Sequence, residues 1–559
     1  MIRRTRHPRR PARAAALLIC GALVALGLVM LVVTDAKPAA WGLLGLPALG
    51  LVTAIDPTTR RPGVGLKIDL KTGSSSNASG AIRFLLLSPK NATGGTATVD
   101  TVVYEAVANA DAVGALAGYG GLAHLAAKRL FEEYPTATVD VIFMAAASGN
   151  TAAGTITFDD GTPVSVTQTV TVRIGGYSFT EVWNVGETDV DIATKIVSRI
   201  TALSKFLPVT AANGGGTLAA VTLTFKSKGK AGLDLRYTAE LSEGTGGGVS
   251  TAAARLTGGT TEPDVTTCLT KMIGREWRFI LPTLSNADLA ATAADKNMGL
   301  LMAHMKANGS GIGALLQTVH TACTDSTTNA KALSAAIDFE YASHHLARGA
   351  WSLPCEWTGA IVGAYARDTK SDPNHPFIQQ AIERASLLGT LDVATDGLLA
   401  SEEEDLLAHG VSYIGRTAQG VPRFERPITT YYEDADGNAD DRVLDVSKTF
   451  GMMAVGADLR TFMQRIGKGK KLMKTLPSGN TPIPPNIIGE EDAKTLIVGR
   501  IRSVHVANGV VRGDKLDEVV KDGSLIVQVD GTDETQLDVF LPLRIVPPLV
   551  KTSIVLVQA

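Results

Sequence analysis

Charged and aromatic side chains are scarce in this sequence. Only 19% of its 559 residues are charged and 5% are aromatic, whereas about 25% charged residues is typical of globular proteins. The 53 basic and 55 acidic residues leave a net charge of −2. This balance argues against a protein that binds nucleic acid by neutralising phosphates, and the 45% apolar content excludes general disorder. The low charge indicates surfaces that other subunits cover.

Cysteine is also rare. The four cysteines are far apart, and none lies in a CxxC or Cys/His spacing. The sequence therefore indicates neither a disulfide framework nor a zinc site. The length predicts three or four domains, each large enough to bury its own core.

The first 61 residues differ from the rest of the chain. Six arginines and no acidic residue precede Ala14, and Ala14–Val33 has no charged side chain. As a helix, this run would reach about 30 Å, enough to cross a bilayer core. It fits a membrane span with cytoplasmic arginines, or a signal peptide cleaved near residues 35–40. It equally fits a buried terminal helix. It also fits upstream sequence that is included because the start was assigned too early, with Met30 available as a later start. A second apolar run, Trp41–Ile55, contains Pro47 and is short for a span.

The next part of the chain predicts an arm and the start of an α/β core. Residues 62–80 combine a short extended segment with the flexible run GSSSNASG. Within residues 81–150, Ala81–Ser88 and Val139–Ala145 are strand candidates that flank an amphipathic helix ended by Pro135. The order strand, helix, strand predicts a βαβ unit in a layered α/β domain.

Residues 151–261 change to alternating apolar positions and predict an inserted, mostly β domain. A hairpin is predicted around Gly175-Gly176, between a valine-rich strand that starts near Val164 and a strand with Tyr177, Phe179 and Trp183 on alternate positions. A helix follows, with Thr188 as its N-cap and Asp191 completing a capping box. Two further alternating runs are strand candidates: Val221, Leu223, Phe225 and Leu233, Leu235, Tyr237.

The α/β alternation resumes in residues 262–400, the second part of the core, and residues 401–559 form a C-terminal domain with a terminal β arm. Parallel strands are predicted over Trp277–Pro282, Ala314–Ala322 and Phe339–His345. In the last part the predicted elements are strands over 411–415, 423–432, 442–446, 524–529, 537–543 and 553–559, and a helix over 446–466.

No cluster of residues predicts catalysis. His344 and His345 would point to opposite faces of a strand, so they cannot share one metal ion. Residues 434–445 have EF-hand-like oxygen spacing but a misplaced glycine, which favours a hairpin turn. The basic GKGKK at 467–471 lacks the spacing of a phosphate loop. Ser352 does not lie in a nucleophile elbow, and Cys355 has no His or Asp nearby in sequence that would activate it. We therefore expect no enzyme activity, no metal and no cofactor.

From residue 62 onward, the order of segments resembles the contractile tail sheath proteins of phages, especially the Mu-like type. In the opening segment PGVGLKIDL, Gly65 and Leu66 replace the family's usual aromatic and β-branched pair. The other matching segments are GTITF (154–158), VTVRIGGYSF (170–179), DIATKIVSRI (191–200), LPVTAA (207–212), VTLTFKSKGKAG (221–232), LTGGTTEPDV (256–265), GVSYIG through RVLDV (410–446), ADLRTFMQRI (457–466), LDVFLPL (537–543) and SIVLVQA (553–559).

The resemblance implies a structural subunit that polymerises as stacked rings around a tail tube and contracts to drive the tube through a cell envelope. It implies a sheath core with terminal arms that add as strands to the sheets of neighbouring copies. The residues expected in these arms are Pro62, Val64, Leu66, Ile68, Leu70, Ser553, Val555 and Val557.

The implied partners are further copies of the chain, the tube protein, and the baseplate and tail terminator proteins, without nucleic acid. The implied location is a virion tail or a related injection particle assembled in the host cytoplasm. The alternative, based on Arg3–Val33, is a membrane-anchored or secreted β-rich protein that binds a surface ligand. A membrane contact is expected only if the N-terminal segment is retained.

Overall fold

A computed structural model of the chain describes most of the residues from 82 to 550. The described ranges are 82–158, 163–214, 219–242, 248–289, 296–308, 315–385, 397–433, 438, 440, 444–474, 484–529 and 534–550. The N-terminal apolar run, the predicted arm at 62–70 and the predicted strand at 553–559 lie outside these residues. Among the described helices, none combines the length and apolarity that a membrane crossing requires.

The strands and helices are numbered in chain order. The strands are β1 (Arg83–Pro89), β2 (Val103–Val107), β3 (Thr138–Met144), β4 (Thr151–Phe158), β5 (Gln168–Ile174), β6 (Tyr177–Trp183), β7 (Val209–Gly214), β8 (Ala219–Lys228), β9 (Tyr237–Leu241), β10 (Val249–Thr251), β11 (Phe279–Pro282), β12 (Thr318–Cys323), β13 (Ala342–Leu346), β14 (Val411–Arg416), β15 (Pro422–Phe424), β16 (Lys471–Met473), β17 (Ile487–Gly489), β18 (Ile526–Val529) and β19 (Leu537–Phe540). The α-helices are α1 (Ala110–Ala117), α2 (Leu122–Glu133), α3 (Asp189–Ala202), α4 (Thr266–Met272), α5 (Asn286–Leu289), α6 (Asn297–Asn308), α7 (Thr327–Ile337), α8 (Pro354–Thr369), α9 (Ala400–Ala408), α10 (Val446–Gly467), α11 (Glu490–Arg500) and α12 (Gly513–Lys521).

The largest sheet has eight strands in the order β15-β14-β13-β12-β11-β1-β3-β2. Its six central strands are parallel, and β2 and β15 pair antiparallel at the two ends. Phe84 and Leu86 of β1 enter one apolar core, and Leu85 and Leu87 enter another on the opposite face. A parallel sheet covered on both faces explains why β1 and β11 are mostly apolar and why β12 and β13, which contain polar residues, are also buried throughout. The predicted βαβ unit and parallel pairing are confirmed.

Two smaller sheets, β10-β4-β8-β7 and β6-β5-β9, contain the strands between residues 151 and 251. The predicted hairpin is confirmed, since β5 and β6 pair antiparallel from Gln168↔Trp183 to Ile174↔Tyr177. The capping box of α3 is also confirmed, because the Thr188 side chain and the Asp191 side chain each bind the other's backbone N–H.

Two details of the β-rich region were predicted wrongly. The valine-rich strand starts at Gln168, which is buried, and Val166 before it is 53% exposed. The run Leu233, Leu235, Tyr237 is not one strand, because Lys230–Asp234 forms a 3₁₀ helix and β9 starts only at Tyr237. In both cases the alternation of apolar residues extends beyond the strand, because Val166 is exposed and Leu233 is only half-buried.

Several other boundaries also differ from the predictions. The strand predicted over 423–432 is formed only at its beginning, where β15 ends at Phe424. Near the end of the strand predicted over 442–446, Asp445 makes a single bridge to Ile428, and α10 starts at the next residue. Asp445 pairs there with Arg426 and Lys448, so its carboxylate stabilises the start of a helix instead of the end of a strand.

A third apolar core lies in the C-terminal part of the chain. Its buried members are Val455, Ile497, Ile501, Val510, Val511, Leu516 and Ile545. They come from the middle of α10, from α11 and the π-helix Ile501–Val506 that continues it, from α12 and the loop before it, and from the segment after β19. The predicted helix at 446–466 is therefore confirmed, and the predicted strands at 524–529 and 537–543 form the antiparallel pair β18–β19 beside this core.

Candidate subunit interface

The residues that the sequence analysis weighed as chemical candidates, and rejected, do not form a reactive site in the described structure. His344 and His345 are both fully buried, and burial lowers the pKa of His344 to about 3 and that of His345 well below its usual value. Their rings bind different partners: Thr321 for His344, and Ser343 and Tyr365 for His345. The two rings therefore serve packing, as their opposite directions on a strand predict.

The other chemical candidates are equally inert. Burial raises the pKa of the Cys355 thiol well above its usual value, which removes the thiolate needed for nucleophilic attack. Ser352 is buried in the turn before α8. In the part of the chain that the structure describes, no group of three or more His, Cys, Asp or Glu side chains could hold a metal ion.

The predicted arm residues Pro62, Val64, Leu66, Ile68 and Leu70 lie outside the described residues, as do Ser553, Val555 and Val557. Whether they pair with another copy stays a prediction. A sheet that accepts such strands must offer an edge with free backbone groups. The candidate site is therefore sought among the edges of the described sheets.

One edge of the large sheet is distorted. The pairing of β2 with β3 shifts between Tyr104 and Val107, and Ala106 between them has a φ of 53°. The Ala106 N–H donates to the buried carboxylate of Asp140 at 2.9 Å. A bulge of this kind bends the strand away from a straight partner, so β2 is poorly suited to strand addition.

The opposite edge of the large sheet is covered. Strand β15 is only three residues long and starts with Pro422. The Ile382 N–H donates to the Pro422 carbonyl at 2.8 Å, and the Phe424 N–H donates to the Gln380 carbonyl at 2.8 Å. The segment around 380–382 therefore occupies the backbone groups that an added strand would need.

Strand β6, an edge of the β-rich region, is also obstructed. The Lys195 ammonium of α3 donates to the Val182 carbonyl at 3.0 Å and pairs with Glu187 at 2.6 Å. A charged side chain on an edge strand opposes the approach of another chain. The Lys195 side chain therefore makes β6 poorly suited to the addition of another strand.

The antiparallel pair β18–β19 is a sheet of only two strands, as is the parallel pair β16–β17. The register of β18–β19 pairs Val527 with Val539 and Val529 with Leu537. The Val529 N–H donates to Glu490 at 2.7 Å, so it points away from β19. Backbone groups alternate in direction along an antiparallel strand, so Leu537 and Val539 also present theirs outward. Within the described ranges, the N–H groups of Leu537 and Val539 have no hydrogen-bond acceptor.

This two-stranded ribbon also exposes apolar side chains. Ile526 and Phe540 are directly opposite each other in the register and are 45% and 63% exposed. Val527 and Val529, whose side chains point to the other face, are more buried, and Val527 contacts the third core. A two-stranded ribbon is only marginally stable without more strands or a helix against it. The β18–β19 ribbon is therefore our candidate for a sheet that accepts a strand.

A three-residue cluster connects the helices behind the ribbon. Asp458 of α10 accepts hydrogen bonds from Arg500 Nε at 2.9 Å and from His505 at 2.9 Å. Burial raises the pKa of Asp458, but these two hydrogen bonds and the Arg500 charge outweigh burial and lower it to about 2. The carboxylate is thus ionised near neutral pH and holds α10, α11 and the π-helix together.

Positive charge is concentrated just beyond this cluster. Residues 459–489 contain six basic and no acidic residues. The exposed members are Arg465, Lys468, Lys470, Lys471 and Lys474. We call this the basic surface; it includes GKGKK, and an acidic protein surface is the partner that its charge fits.

No protein-family model and no curated protein matches this chain. Among solved structures, the sheath tail protein Lin1278 from Listeria innocua is 13% identical, with a TM-score of 0.38, over 84% of this chain and 93% of that chain. The PVC sheath complex of an extracellular contractile injection system, in its contracted state, gives 10% identity and a TM-score of 0.42 over 91% and 99%. The baseplate of the anti-feeding prophage gives 10% identity and a TM-score of 0.42, over 90% of this chain and 99% of that chain. The solved structures named here are thus a sheath tail protein, a sheath complex and a baseplate.

Sequence reasoning missed the ribbon as a site. It predicted both strands but gave them no role, because nothing in their alternation shows that they form a sheet of two. The available signal was that two apolar residues, Ile526 and Phe540, lie near the ends of the predicted strands. The structure shows that both are exposed.

Proposed function

We propose that this chain is the subunit of a contractile tail sheath, of the Mu-like type that its segment order resembles. The observation that carries the proposal is the β18–β19 ribbon, with its unsatisfied outer edge on β19 and its exposed Ile526 and Phe540. Polymerisation by strand exchange needs an accepting edge and a donated segment. The ribbon supplies the first, and residues 62–70 and 551–559 are the proposed donors.

Strand donation suits an assembly that changes shape. Main-chain hydrogen bonds depend little on side chains, and flexible connectors let the linked bodies rotate while the added strands stay in place. In the donated segments, Val64, Leu66 and Ile68 share one face of a strand, as do Val555 and Val557. Either face could extend the apolar surface of the ribbon.

Contraction is proposed as a rigid-body rearrangement from an extended state of higher free energy to a contracted state with more buried interface. The energy would be stored during assembly, so neither a nucleotide nor a catalytic residue is required. We therefore propose a structural role without a cofactor.

The domain arrangement proposed for the particle follows the predicted boundaries. The β-rich insertion at 151–261 would project outward, and the α/β core at 81–150 and 262–400 with the domain at 401–559 would face the tube. The basic surface would meet an acidic tube surface. The baseplate and tail terminator proteins would contact the two ends of the sheath, in a virion tail or an injection particle assembled in the host cytoplasm.

Polymerisation of the purified chain tests this proposal. We expect hollow striated cylinders by negative-stain electron microscopy, for the full chain and for residues 62–559. Deletion of Lys551–Ala559 should leave a folded monomer that forms no cylinders. Persistent monomers of the intact chain under all conditions, or cylinders from the truncated chain, would contradict the proposal.

A proline on the ribbon provides a sharper variant. Val539→Pro removes an N–H that points away from β18, so the hairpin keeps its own hydrogen bonds while strand addition is blocked. The matched control is Val190→Pro, an exposed valine in the first turn of α3, where proline is tolerated. We expect V539P to stay monomeric and V190P to polymerise.

A second candidate function rests on the sequence of Arg3–Val33 alone. If this segment is retained as a span, the chain would be a membrane-anchored or secreted protein that binds a surface ligand through its β-rich region. Cell fractionation separates the two proposals, because a spanning helix resists carbonate extraction and an assembly protein does not sediment with membranes. The mass of the mature amino terminus shows whether the segment is present.

A further inference from the structure

The two outer edges of the β18–β19 ribbon are not equivalent. On β19, the outward N–H groups of Leu537 and Val539 have no acceptor within the described ranges. On β18, the outward N–H of Val529 donates to the Glu490 carboxylate at 2.7 Å. Glu490 is the first residue of α11, which packs beside β18, and its side chain is half-buried. A fixed side chain therefore occupies one of the two outward N–H groups of β18, those of Val527 and Val529, whereas both outward N–H groups of β19 are open within the described residues.

We propose that Glu490 is an edge guard: its carboxylate must leave the Val529 N–H before a strand from a second copy can add to β18. This inference rests on the proposed function and deepens it, because it assigns an order of assembly. The β19 edge receives the first strand, and the β18 edge accepts one only after Glu490 withdraws.

The chemistry of strand addition gives the guard its effect. A strand that adds to β18 must bring a carbonyl oxygen to the Val529 N–H. That carbonyl replaces a carboxylate, whose charge-assisted hydrogen bond is about twice as strong as a neutral one. The displaced carboxylate then remains close to the incoming carbonyl oxygens. Both effects disfavour addition at β18 and leave β19 unaffected.

Residues 551–559 of a second copy are the occupant that we assign to the ribbon. The segment contains one lysine and no acidic residue, so its charge is compatible with Glu490 nearby. By contrast, residues 62–70 contain Asp69, which would place a second carboxylate near the ribbon. The described chain reaches Val550, so the segment follows directly from the described part of each copy.

The test measures binding of a fluorescent peptide with the sequence of residues 551–559 to the full-length chain. We expect one bound peptide for the intact chain and two for Glu490→Ala. In light-scattering assays, nucleation of polymers should accelerate in E490A by about tenfold, the factor that about 1.4 kcal/mol gives. The matched control is Glu491→Ala, an exposed acid in the same first turn that should behave like the intact chain.

The sign of the effect separates a guard from an anchor. If Glu490 only holds the ribbon against α11, E490A weakens the ribbon and slows polymerisation, which would overturn the inference. Glu490→Gln retains an oxygen acceptor of the same reach but without charge, so we expect it to lie between the intact chain and E490A. This variant keeps the test valid if E490A loses its fold.

The failure of the inference is distinguishable from the failure of the proposed function. If the intact chain forms cylinders and E490A binds and polymerises like E491A, the guard is wrong and the sheath proposal stands. If no variant polymerises but E490A binds a second peptide, the sheath proposal is wrong and the guard stands. Loss of protection of the Val529 amide from hydrogen exchange in E490A checks that the contact has been removed.

Discussion

The contact between α2 and α8 is so close that one added methyl group should disrupt it. A Cβ built on Gly359 of α8 would lie 2.2 Å from the Ala126 carbonyl oxygen and 3.0 Å from its carbonyl carbon. Normal contacts of this kind are about 3.4 Å or longer, and the obstacle is backbone in the middle of a helix, so α8 must move away. The Arg129–Glu356 ion pair, at 2.7 Å, joins the same two helices and would be disturbed as well.

Gly359→Ala should therefore lower the free energy of unfolding. Overpacking of a core costs about 1–3 kcal/mol, and the better helix propensity of alanine returns about 1 kcal/mol. Because the clash is with backbone, we expect a net loss of about 2 kcal/mol. Gly499→Ala is the matched control: Gly499 has no atom within 4 Å of its built Cβ, so propensity alone should stabilise it by about 0.5–1 kcal/mol.

Urea denaturation of both variants, followed by circular dichroism, measures the two changes. Opposite signs are expected for G359A and G499A. A G359A protein as stable as the intact chain would refute the reasoning, because it would mean that the two helices do not approach each other closely. A destabilised G499A would show that helix propensity does not govern the exposed position.

Three further predictions concern charge. Burial lowers the pKa of His320 to about 3, so below about pH 6.5 the unfolded chain binds a proton that the folded chain does not, and the free energy of unfolding falls. In His320→Gln, the decrease in the free energy of unfolding between pH 7 and pH 5, measured by urea denaturation, should be smaller by about 2 kcal/mol. Asp458→Ala should destabilise the third core by about 1–3 kcal/mol, because Arg500 and His505 lose their hydrogen-bond acceptor. Amide hydrogen exchange in α11 should become faster. Unchanged exchange would contradict the role of the Asp458 cluster. Replacing Lys470 and Lys471 with glutamate should abolish co-assembly with tube protein while leaving the ribbon intact. Co-assembly of the unchanged chain should weaken as salt is added. If neither the substitutions nor salt changes co-assembly, the basic surface does not face the tube.

Much of the fold follows from local patterns in the sequence. The βαβ unit was predictable because β1 and β3 are continuous apolar runs around an amphipathic helix, which is the pattern of a sheet buried on both faces. The capping box of α3 was predictable because Thr188 and Asp191 have the required spacing. In each case the deciding signal is a local pattern of residue types, although β1 and β3 themselves pair over a long distance in sequence.

Other features depend on contacts that periodicity does not encode. Strand β2 was missed because it depends on a bulged pairing with β3 and on long-range contacts such as the bond from Ala106 to Asp140. The segment Leu233–Leu235 was misread because Leu233 lies in a 3₁₀ turn, which the spacing of the apolar residues does not distinguish from a strand. The close approach of Gly359 to Ala126 requires both helices to be placed first.

The candidate site was predictable only in part. The resemblance of the segment order to tail sheath proteins suggested which segments are donated. The sequence could not show which sheet accepts these segments. An edge strand is open only if no other element of the chain covers it, and that is known only from the three-dimensional fold. The contact of Glu490 with Val529 belongs to the same class, since it joins residues in separate elements.

Helical reconstruction of the assembled cylinders by electron cryomicroscopy measures strand addition directly. We expect density for a third strand hydrogen-bonded to the outer edge of β19, continuous with residues 551–559 of an adjacent copy. If that edge instead faces solvent in the cylinder, or if each copy folds its own terminal segment back onto itself, the account of how this protein assembles is wrong.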